Sequence, residues 1–288
     1  MANIKFEQLL DAGCHFGHLK RKWNPNMAPY IFMEQNGIHI IDLYKTIAKM
    51  QEAGDAMKQI AKSGKKILFV GTKKQSKEIV AEVARKINMP YVTERWPGGM
   101  LTNFVTIRKA VKKMAHIDKM LNDPTFASIS KRERLQITRE RAKLDKTLGS
   151  IADLNKLPSA LFVVDISKEH IAVAEAQILN IPTFAIVDTN SDPKKVDFPI
   201  PANDDAAKSI SLILNTLAED VQEGLNERKM QKDKAEEEEA PKAEVKEEVK
   251  EEVKAEAAEE VKEEKVEAPE EKKEAAPKKK INIDVNED

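Results

Sequence analysis

The chain has 288 residues, of which 41% are apolar and 34% are charged, so it is long enough for one or two domains. Its single cysteine excludes an internal disulfide and is typical of a reducing compartment. No apolar run approaches the length that crosses a bilayer, and the first residues lack the apolar segment of a signal peptide. Together these features predict a soluble cytoplasmic protein.

Charge is distributed unevenly along the chain. Residues 231–288 contain 13 Lys and 22 Asp or Glu, a net charge of −9, and they include no aromatic residue and no glycine. Such a segment cannot bury enough apolar surface to offset its conformational entropy, so we predict that 230–288 form a disordered acidic tail. The remaining residues, 1–230, carry a net charge of +8, which favours an acidic partner such as nucleic acid.

The N-terminal part of the chain predicts a short turn or helix followed by a loop and a β-hairpin. Residues 4–10 are a short apolar turn or helix, and 20–42 contain a basic loop with a tryptophan and then two apolar runs. The two runs flank Asn36-Gly37, a dipeptide that strongly favours a two-residue hairpin turn. A helix is predicted from 42 to 62, because apolar residues keep to one face and a Ser-Gly pair follows.

The rest of the ordered chain is organised around the stretch 65–103. An apolar run at 67–70 is followed by a glycine turn, an amphipathic segment and a second short strand at 91–93, which together predict a βαβ unit. Further apolar runs at 160–165 and 183–188 extend the same sheet. The fold class predicted from this pattern is α/β, with a parallel sheet flanked by helices.

A region of different periodicity interrupts the sheet domain at 105–150. Apolar residues there recur every three and four positions in two arms, which predicts an inserted antiparallel coiled-coil helical hairpin. The sheet domain is therefore predicted at 1–104 and 151–229. The inserted region contains 12 Lys or Arg and 5 Asp or Glu, a net charge of +7. This excess favours contact with a polyanion over the alternative of a merely solvated face.

One candidate site is a nucleotide-binding turn at 71–74, where a strand meets a helix N-terminus. Glu94 stands where dinucleotide folds place a ribose-binding acid. Gly71 stands alone, however, whereas phosphate-binding fingerprints need further glycines for close approach of the backbone. A nucleotide-binding α/β enzyme that works at Gly71 and Asp188 is therefore the alternative function, and no cofactor is predicted.

Metal-ligating residue types occur in two places. Cys14, His15 and His18 are capable donors, but no fourth ligand stands at a convincing spacing. Asp165, Asp188 and Asp192 lie at or just beyond strand ends, where α/β proteins often place catalytic groups, although aspartates there more often cap helices and turns. No metal is predicted, and whether either group binds an ion is left open.

Two loops combine cations with a tryptophan. This pairing suits irregularly folded RNA, because cations anchor phosphates and an exposed indole stacks on an unpaired base. For Trp96 the alternative is a core residue beneath its loop, and the two interpretations are equally supported. With the lysines of the glycine turn and the cations of the hairpin, these loops give the candidate RNA-binding residues. The candidates are Lys20, Arg21, Lys22, Trp23, Asn24, Lys73, Lys74, Arg95, Trp96, Arg108, Lys109, Lys112, Lys113, Arg132, Arg134 and Arg139.

Several long segments make the chain similar to a known family. They are LLDAGCHFGH at 9–18, the segment 23–43, RWPGGMLTN at 95–103 and the stretch 157–193, which ends in DTNSDP. In their order, and over residues 4 to about 225, the chain resembles the bacterial ribosomal protein S-two family of the small subunit.

This resemblance implies a flavodoxin-like parallel sheet with an inserted coiled-coil hairpin, and it implies no enzymatic activity. It also implies a place in the small ribosomal subunit between head and body, bound to 16S rRNA. Members of the family help to dock ribosomal protein S-one for initiation, so S-one and neighbouring small-subunit proteins are the expected partners. Neither membrane contact nor a homo-oligomer is expected.

Overall fold

The computed structural model describes residues 4–123 and 130–231. The strands are β1 Phe16–Leu19, β2 Ile31–Gln35, β3 Ile38–Ile41, β4 Ile67–Val70, β5 Tyr91–Val92, β6 Ala160–Val164, β7 Thr183–Val187 and β8 Phe198–Pro201. The α-helices are α1 Phe6–Asp11, α2 Leu43–Lys62, α3 Lys74–Lys86, α4 Phe104–Leu121, α5 Lys131–Leu148, α6 His170–Ile178 and α7 at 207–231. The predicted tail lies outside the described residues, except for 230 and 231, which end α7.

The strands β4 to β8 form a five-stranded parallel sheet in the order β5-β4-β6-β7-β8. Numbered by their own succession, these strands run 2-1-3-4-5, which is the flavodoxin-like order. β4, β6 and β7 are buried along their whole length because helices cover both faces of the sheet. β8 contains Pro199 and Pro201 and stands at an edge, where a missing N–H donor is tolerated. The predicted fold class is therefore confirmed.

The sheet separates two apolar cores. One face packs against α1, α2, α3 and α7, and it buries Phe69, Phe162 and Phe184 completely. The other face packs against α6, the loop that contains Trp96 and Met100, and the ends of α4 and α5 that lie next to the sheet. The insertion therefore packs into the second core only, on one side of the sheet.

A second, three-stranded sheet is antiparallel, in the order β1-β3-β2. β2 and β3 are joined by Asn36 and Gly37, which have φ angles of 53° and 76°, as the predicted hairpin turn requires. Gly17 lets β1 approach the segment after β7 closely, since a Cβ at this position would lie 2.7 Å from Thr189 Cγ2. This contact brings the loop that follows β1 to the carboxyl end of the parallel sheet.

The helices α4 and α5 are the two arms of the predicted insertion and pack against each other. Val111 of α4 and Leu148 of α5 both belong to the second core, so both arms meet the sheet at one end and run antiparallel. Ser130 caps α5, and its Oγ accepts a hydrogen bond from the backbone N–H of Glu133 at 3.3 Å. The connection at 124–129 lies outside the described residues, and regular coiled-coil packing of the arms stays a prediction.

A buried carboxylate fixes the loop that leads into the insertion. Glu175 of α6 is 6% exposed, and its Oε1 accepts hydrogen bonds from the indole N–H of Trp96 at 3.1 Å and the backbone N–H of Gly99 at 2.8 Å. Its Oε2 accepts from the backbone N–H groups of Leu101 and Thr102 at 2.9 and 3.1 Å. Burial by itself raises the pKa of Glu175, but these donors outweigh it and hold the pKa below its ordinary value.

We expect Glu175→Gln to lower the free energy of unfolding by about 3 kcal/mol at neutral pH, because a neutral amide leaves buried N–H donors unpaired. The pKa of the folded-state carboxylate is depressed, so its contribution is present above the ordinary glutamate value of about 4.3. That contribution is lost as the pH falls through the folded-state pKa. Urea unfolding from pH 7 to pH 3 should therefore give a difference between the two proteins that narrows in acid.

The matched control is Glu219→Gln, the same chemical change at an exposed position of α7. It should change the free energy of unfolding by less than about 0.5 kcal/mol. Equal stability of the Glu175→Gln and Glu219→Gln variants at pH 7 would contradict the role assigned to the buried carboxylate.

Candidate nucleic-acid interface

The basic loop after β1 carries two cations that the protein itself does not neutralise. Lys20 to Lys22 form a single 3-10 turn, and the Nζ of Lys20 lies 2.6 Å from Glu34 Oε2 on β2. Arg21 and Lys22 are exposed and have no acidic partner within 4–123 and 130–231. These two side chains are therefore available to an external anion.

Trp23 and Asn24 complete this loop in different ways. Trp23 is 38% exposed, and its ring packs against that of His39 with the centroids 5.2 Å apart. The backbone N–H of Asn24 donates to the carbonyl of Thr189 at 2.8 Å, and its side chain accepts from the N–H of Asn26 at 2.9 Å. Asn24 thus fixes the loop against the segment after β7, while Trp23 keeps an accessible part of its indole.

The second tryptophan loop is different, because its tryptophan is buried. Trp96 is 5% exposed and its indole N–H is bound by Glu175, whereas Arg95 is exposed. Of the two interpretations of Trp96, the core position accounts for this burial, and its ring has no open face for a base. Arg95 is the accessible member of the pair.

The glycine turn after β4 holds one enclosed lysine and one exposed lysine. The ammonium group of Lys73 forms three ion pairs of 2.8 to 2.9 Å, and its partners are Asp165, Asp204 and Asp205. Burial opposes the charged form, but these carboxylates outweigh it and raise the pKa of Lys73. Since an ammonium group has three donors, Lys73 has none left for a phosphate. Lys74, the first residue of α3, is exposed.

Most candidate cations of α4 and α5 have no acidic partner. Two are engaged: Arg108 donates from Nη1 to the carbonyl of Leu154 at 3.0 Å, and Lys113 pairs with Glu140 across the two helices. The others have no acidic partner in the described part of the chain, and all are exposed except Arg134, which is half-buried. They are Lys109, Lys112, Arg132, Arg134 and Arg139. The two helices therefore display positive charge that the fold does not compensate.

An acidic cluster lies at the carboxyl edge of the parallel sheet, next to the basic loop. His18 Nδ1 lies 2.7 Å from Asp188 Oδ2, and His18 Nε2 lies 3.5 Å from Asp205 Oδ2. The hydrogen bond to Asp188 is the main reason why the pKa of His18 is raised. Asp204 is fully buried, and its Oδ2 has no hydrogen-bond donor among residues 4–123 and 130–231. Burial and the neighbouring carboxylates raise the pKa of Asp204 to about 7, against the opposing charge of Lys73.

Three side chains of this cluster could hold a divalent cation. One ligand atom each from His18, Asp188 and Asp204 lie within 4.8 Å of one another. An imidazole with carboxylates is a donor set that zinc and related ions accept, and a cation would compensate the buried negative charge. Cys14 and His15, which the sequence placed beside His18, are not members of this group. Cys14 is fully buried, and its burial raises the pKa of the thiol.

Sequence reasoning missed Asp204 and Asp205, although a signal for them was present. They follow the edge strand β8, at the same end of the sheet as Asp188. Because the carboxyl ends of parallel strands meet at one edge, aspartates after β7 and β8 could have been placed together. Asp192 instead caps the turn Pro193–Lys195, where it accepts a backbone hydrogen bond at 3.1 Å.

The residues of the alternative nucleotide site are engaged by the protein itself. A Cβ at Gly71 would lie 2.8 Å from Val80 Cγ2, so glycine there permits close packing of α3 on β4. Glu94 pairs with Lys77 at 3.1 Å, and Asp188 is 1% exposed. Gly71 and Asp188 are therefore enclosed by the protein, whereas Glu94 is ion-paired and partly exposed.

Fold and surface together define a class: a flavodoxin-like α/β domain that carries an inserted pair of positively charged helices. In the described residues, no helix combines the length and the apolarity that crossing a membrane requires. The family model of ribosomal protein S2 matches residues 9–224, which is more than half of the chain. The chain belongs to the ribosomal protein S2 family.

Curated relatives agree with this assignment. The small ribosomal subunit protein uS2 of Phocaeicola vulgatus is 71% identical over 232 residues, which cover 81% of this chain and 83% of the relative. The protein of the same name from Bacteroides thetaiotaomicron is 71% identical over 232 residues, covering 81% of this chain and 84% of the relative. That of Christiangramia forsetii is 68% identical over 240 residues, covering 83% and 80%. The family resemblance found in the sequence is therefore confirmed.

We expect zinc to raise the melting temperature of the full-length protein by several degrees at pH 7.5, because a ligand that binds only the folded state stabilises it. Asp188→Asn should abolish this increase, since it removes one of the three ligands. Asp192→Asn, in the same segment but outside the ligand group, should retain it. Calorimetric melting of each protein with zinc and with a chelator measures the shift. An equal increase in the wild type and in Asp188→Asn would place zinc elsewhere.

Proposed function

We propose that the chain is a non-enzymatic structural component of the small ribosomal subunit in the cytoplasm. In this proposal it binds 16S rRNA between head and body and helps to dock ribosomal protein S-one for initiation. Family membership supports a ribosomal role, since the relatives are named small ribosomal subunit protein uS2. The observation that carries the RNA-binding part is the uncompensated positive charge of α4 and α5.

The helices α4 and α5, which form the inserted hairpin, provide the main electrostatic contact. Lys109 and Lys112 are one turn apart on α4, and Arg132 and Arg139 lie on α5; all four are exposed and without acidic partners in the described chain. Cations that neutralise RNA phosphates release condensed counterions, and this release supplies a large share of binding free energy. A fold that needed these side chains for its own stability would pair them, as it pairs Lys73.

The basic loop after β1 provides a second contact of different chemistry. Arg21 and Lys22 can bind phosphate oxygens, and the exposed part of Trp23 can stack on an unpaired base. Arg95 and Lys74 add exposed cations on the sheet domain. Lys73 and Trp96 act within the fold, and we leave them out of the proposed RNA-binding surface.

An exposed apolar surface supports the docking of S-one. A pocket of about 330 Å³ is lined by β1, β2, β3, α1 and the start of α2. We call the exposed apolar side chains around it the aromatic patch. Phe32 and Tyr44 are 71% and 73% exposed, and Tyr44 stacks on Phe6 with centroids 5.0 Å apart. The remaining members are Leu10, Phe16 and Met33. Contiguous exposed apolar surface marks sites of protein contact, so we assign S-one to this patch.

Reversing two hairpin charges, Lys109→Glu with Lys112→Glu, should weaken binding to 16S rRNA at least tenfold at 100 mM salt. The slope of log affinity against log salt concentration should also become less steep by about two, since about two phosphate contacts are lost. Lys208→Glu with Lys229→Glu makes the same charge change at exposed positions of α7 and should have a much smaller effect. Filter binding at several salt concentrations measures both quantities. If the α4 and α7 variants behave alike, net charge and not the hairpin governs binding.

Replacing Phe32 with Ser should reduce the S-one retained on small subunits about tenfold, because a central apolar anchor of the aromatic patch is lost. Ile178→Ser is the matched control, since Ile178 is also 71% exposed but lies on α6, outside the patch. Small subunits that carry each variant are purified by sucrose-gradient sedimentation, and their S-one content is quantified. Normal S-one content in subunits with the Phe32→Ser protein would refute this docking site and leave the RNA-binding proposal untouched.

A further inference from the structure

A pocket of about 270 Å³ lies beside the end of α5, on the amino edge of the parallel sheet. Four parts of the fold line it: the residue before β4, the end of α3, the start of β5 and the segment after α5. The side chains that matter are Lys66, Arg85, Tyr91, Ser150 and Asp153. The pocket is at the opposite edge from the acidic cluster, and none of the candidate RNA-binding residues lines it.

Arg85 and Tyr91 are arranged before any ligand binds. Arg85 Nε donates to the hydroxyl of Tyr91 at 2.9 Å, and the guanidinium carbon lies 5.5 Å from the centre of the tyrosine ring. The other guanidinium N–H groups have no acceptor in the described residues, and Arg85 is exposed. Lys66 donates to the carbonyl of Asn88 at 2.6 Å and keeps two further donors. Two cations therefore face a pocket that contains one carboxylate, Asp153.

The pocket is continuous with the base of the hairpin. Gly149 and Ser150 line it and directly follow α5, and the hydroxyl of Ser150 donates to the carbonyl of Tyr91. Leu154 also lines it, and its carbonyl accepts the 3.0 Å hydrogen bond from Arg108 of α4. The contact with Leu154 therefore places Arg108, a cation of α4, next to the pocket.

We propose that the pocket binds a single unpaired nucleotide, with Arg85 and Lys66 on its phosphate and Tyr91 against its base. This inference rests on the proposed RNA-binding function and adds to it a base-recognising site on the sheet domain. The volume is close to the lower end, about 300 Å³, of small-ligand pockets, so it suits one nucleotide and not a duplex. Aromatic rings and guanidinium planes stack on unpaired bases, whereas a duplex keeps its bases inside.

A phosphate and a base are present both in RNA and in a free nucleoside monophosphate, and the experiment distinguishes these two ligands. Full-length protein is titrated with a labelled single-stranded adenosine hexanucleotide, with a labelled RNA duplex, and with AMP as a competitor. The variants are Lys66→Gln with Arg85→Gln, Tyr91→Leu, and Tyr91→Phe, which keeps the ring. The control is Lys65→Gln with Lys229→Gln, an equal loss of charge at exposed positions that do not line the pocket.

The charge variant and Tyr91→Leu should each weaken binding of the single strand about tenfold, while Tyr91→Phe and the control should change it less than threefold. Affinity for the duplex should fall no more in the pocket variants than in the control. Competition by AMP that disappears in Tyr91→Leu assigns the pocket to free nucleotides as well, and absence of competition assigns it to RNA alone. Pocket variants that match the control on the single strand, or that lose duplex binding equally, overturn the inference.

Failure of the pocket assignment can be distinguished from failure of the proposed function. If the Lys109→Glu with Lys112→Glu variant loses RNA binding while the pocket variants do not, the hairpin contact stands and the pocket assignment fails. If the wild-type protein binds neither the single strand nor the duplex, the proposed function fails. Should Tyr91→Leu lower the melting temperature, the charge variant still decides, because Lys66 and Arg85 are both exposed.

Discussion

One buried carboxylate determines how the charged insertion leaves the sheet. Glu175 stands on α6 and binds four N–H groups of the loop that joins β5 to α4. That loop contains consecutive glycines, Gly98 and Gly99, and would otherwise have many backbone conformations of similar energy. Because the same loop buries Trp96, the carboxylate links the second apolar core to the direction of α4. The position of the cations on the hairpin therefore depends on a residue that is far from them in sequence.

Charged side chains have different surroundings in the sheet domain and in the inserted helices α4 and α5. At the carboxyl edge of the sheet, Lys73 and His18 are paired with aspartates. Solvent screens the pairs with the buried Asp165, Asp188 and Asp204 little. On the hairpin, cations such as Lys112 and Arg139 are exposed and stay unpaired at little cost, since water solvates them. The first arrangement holds the lysine and the histidine within the fold, and the second leaves cations available to a polyanion.

The sequence predicted what depends on local pattern. The apolar runs of β4, β6 and β7 and the Asn36-Gly37 turn were recognisable because burial and turn geometry restrict residue type at each position. Contacts between distant segments were not recognisable. The pairing of Lys73 with three aspartates and the burial of Trp96 depend on side-chain packing, and a cation or a tryptophan in a loop has the same local signal whether it faces solvent or core. The charge pattern favoured a polyanionic partner, and only the family resemblance indicated a ribosomal role.

The flavodoxin-like order also explains where the candidate interfaces are. Such sheets usually bind ligands at the carboxyl edge, beside the point where the strand order reverses. Here the protein's own ion pairs occupy that edge, with Lys73 between Asp165 and Asp204. The side chain of Val80 fills the space beside Gly71. The candidate surfaces for partners are then the loop after β1, the inserted helices, the aromatic patch and the amino edge. A common fold can thus fill its usual nucleotide site with its own side chains and display exposed cations on an insertion, without any change in strand order.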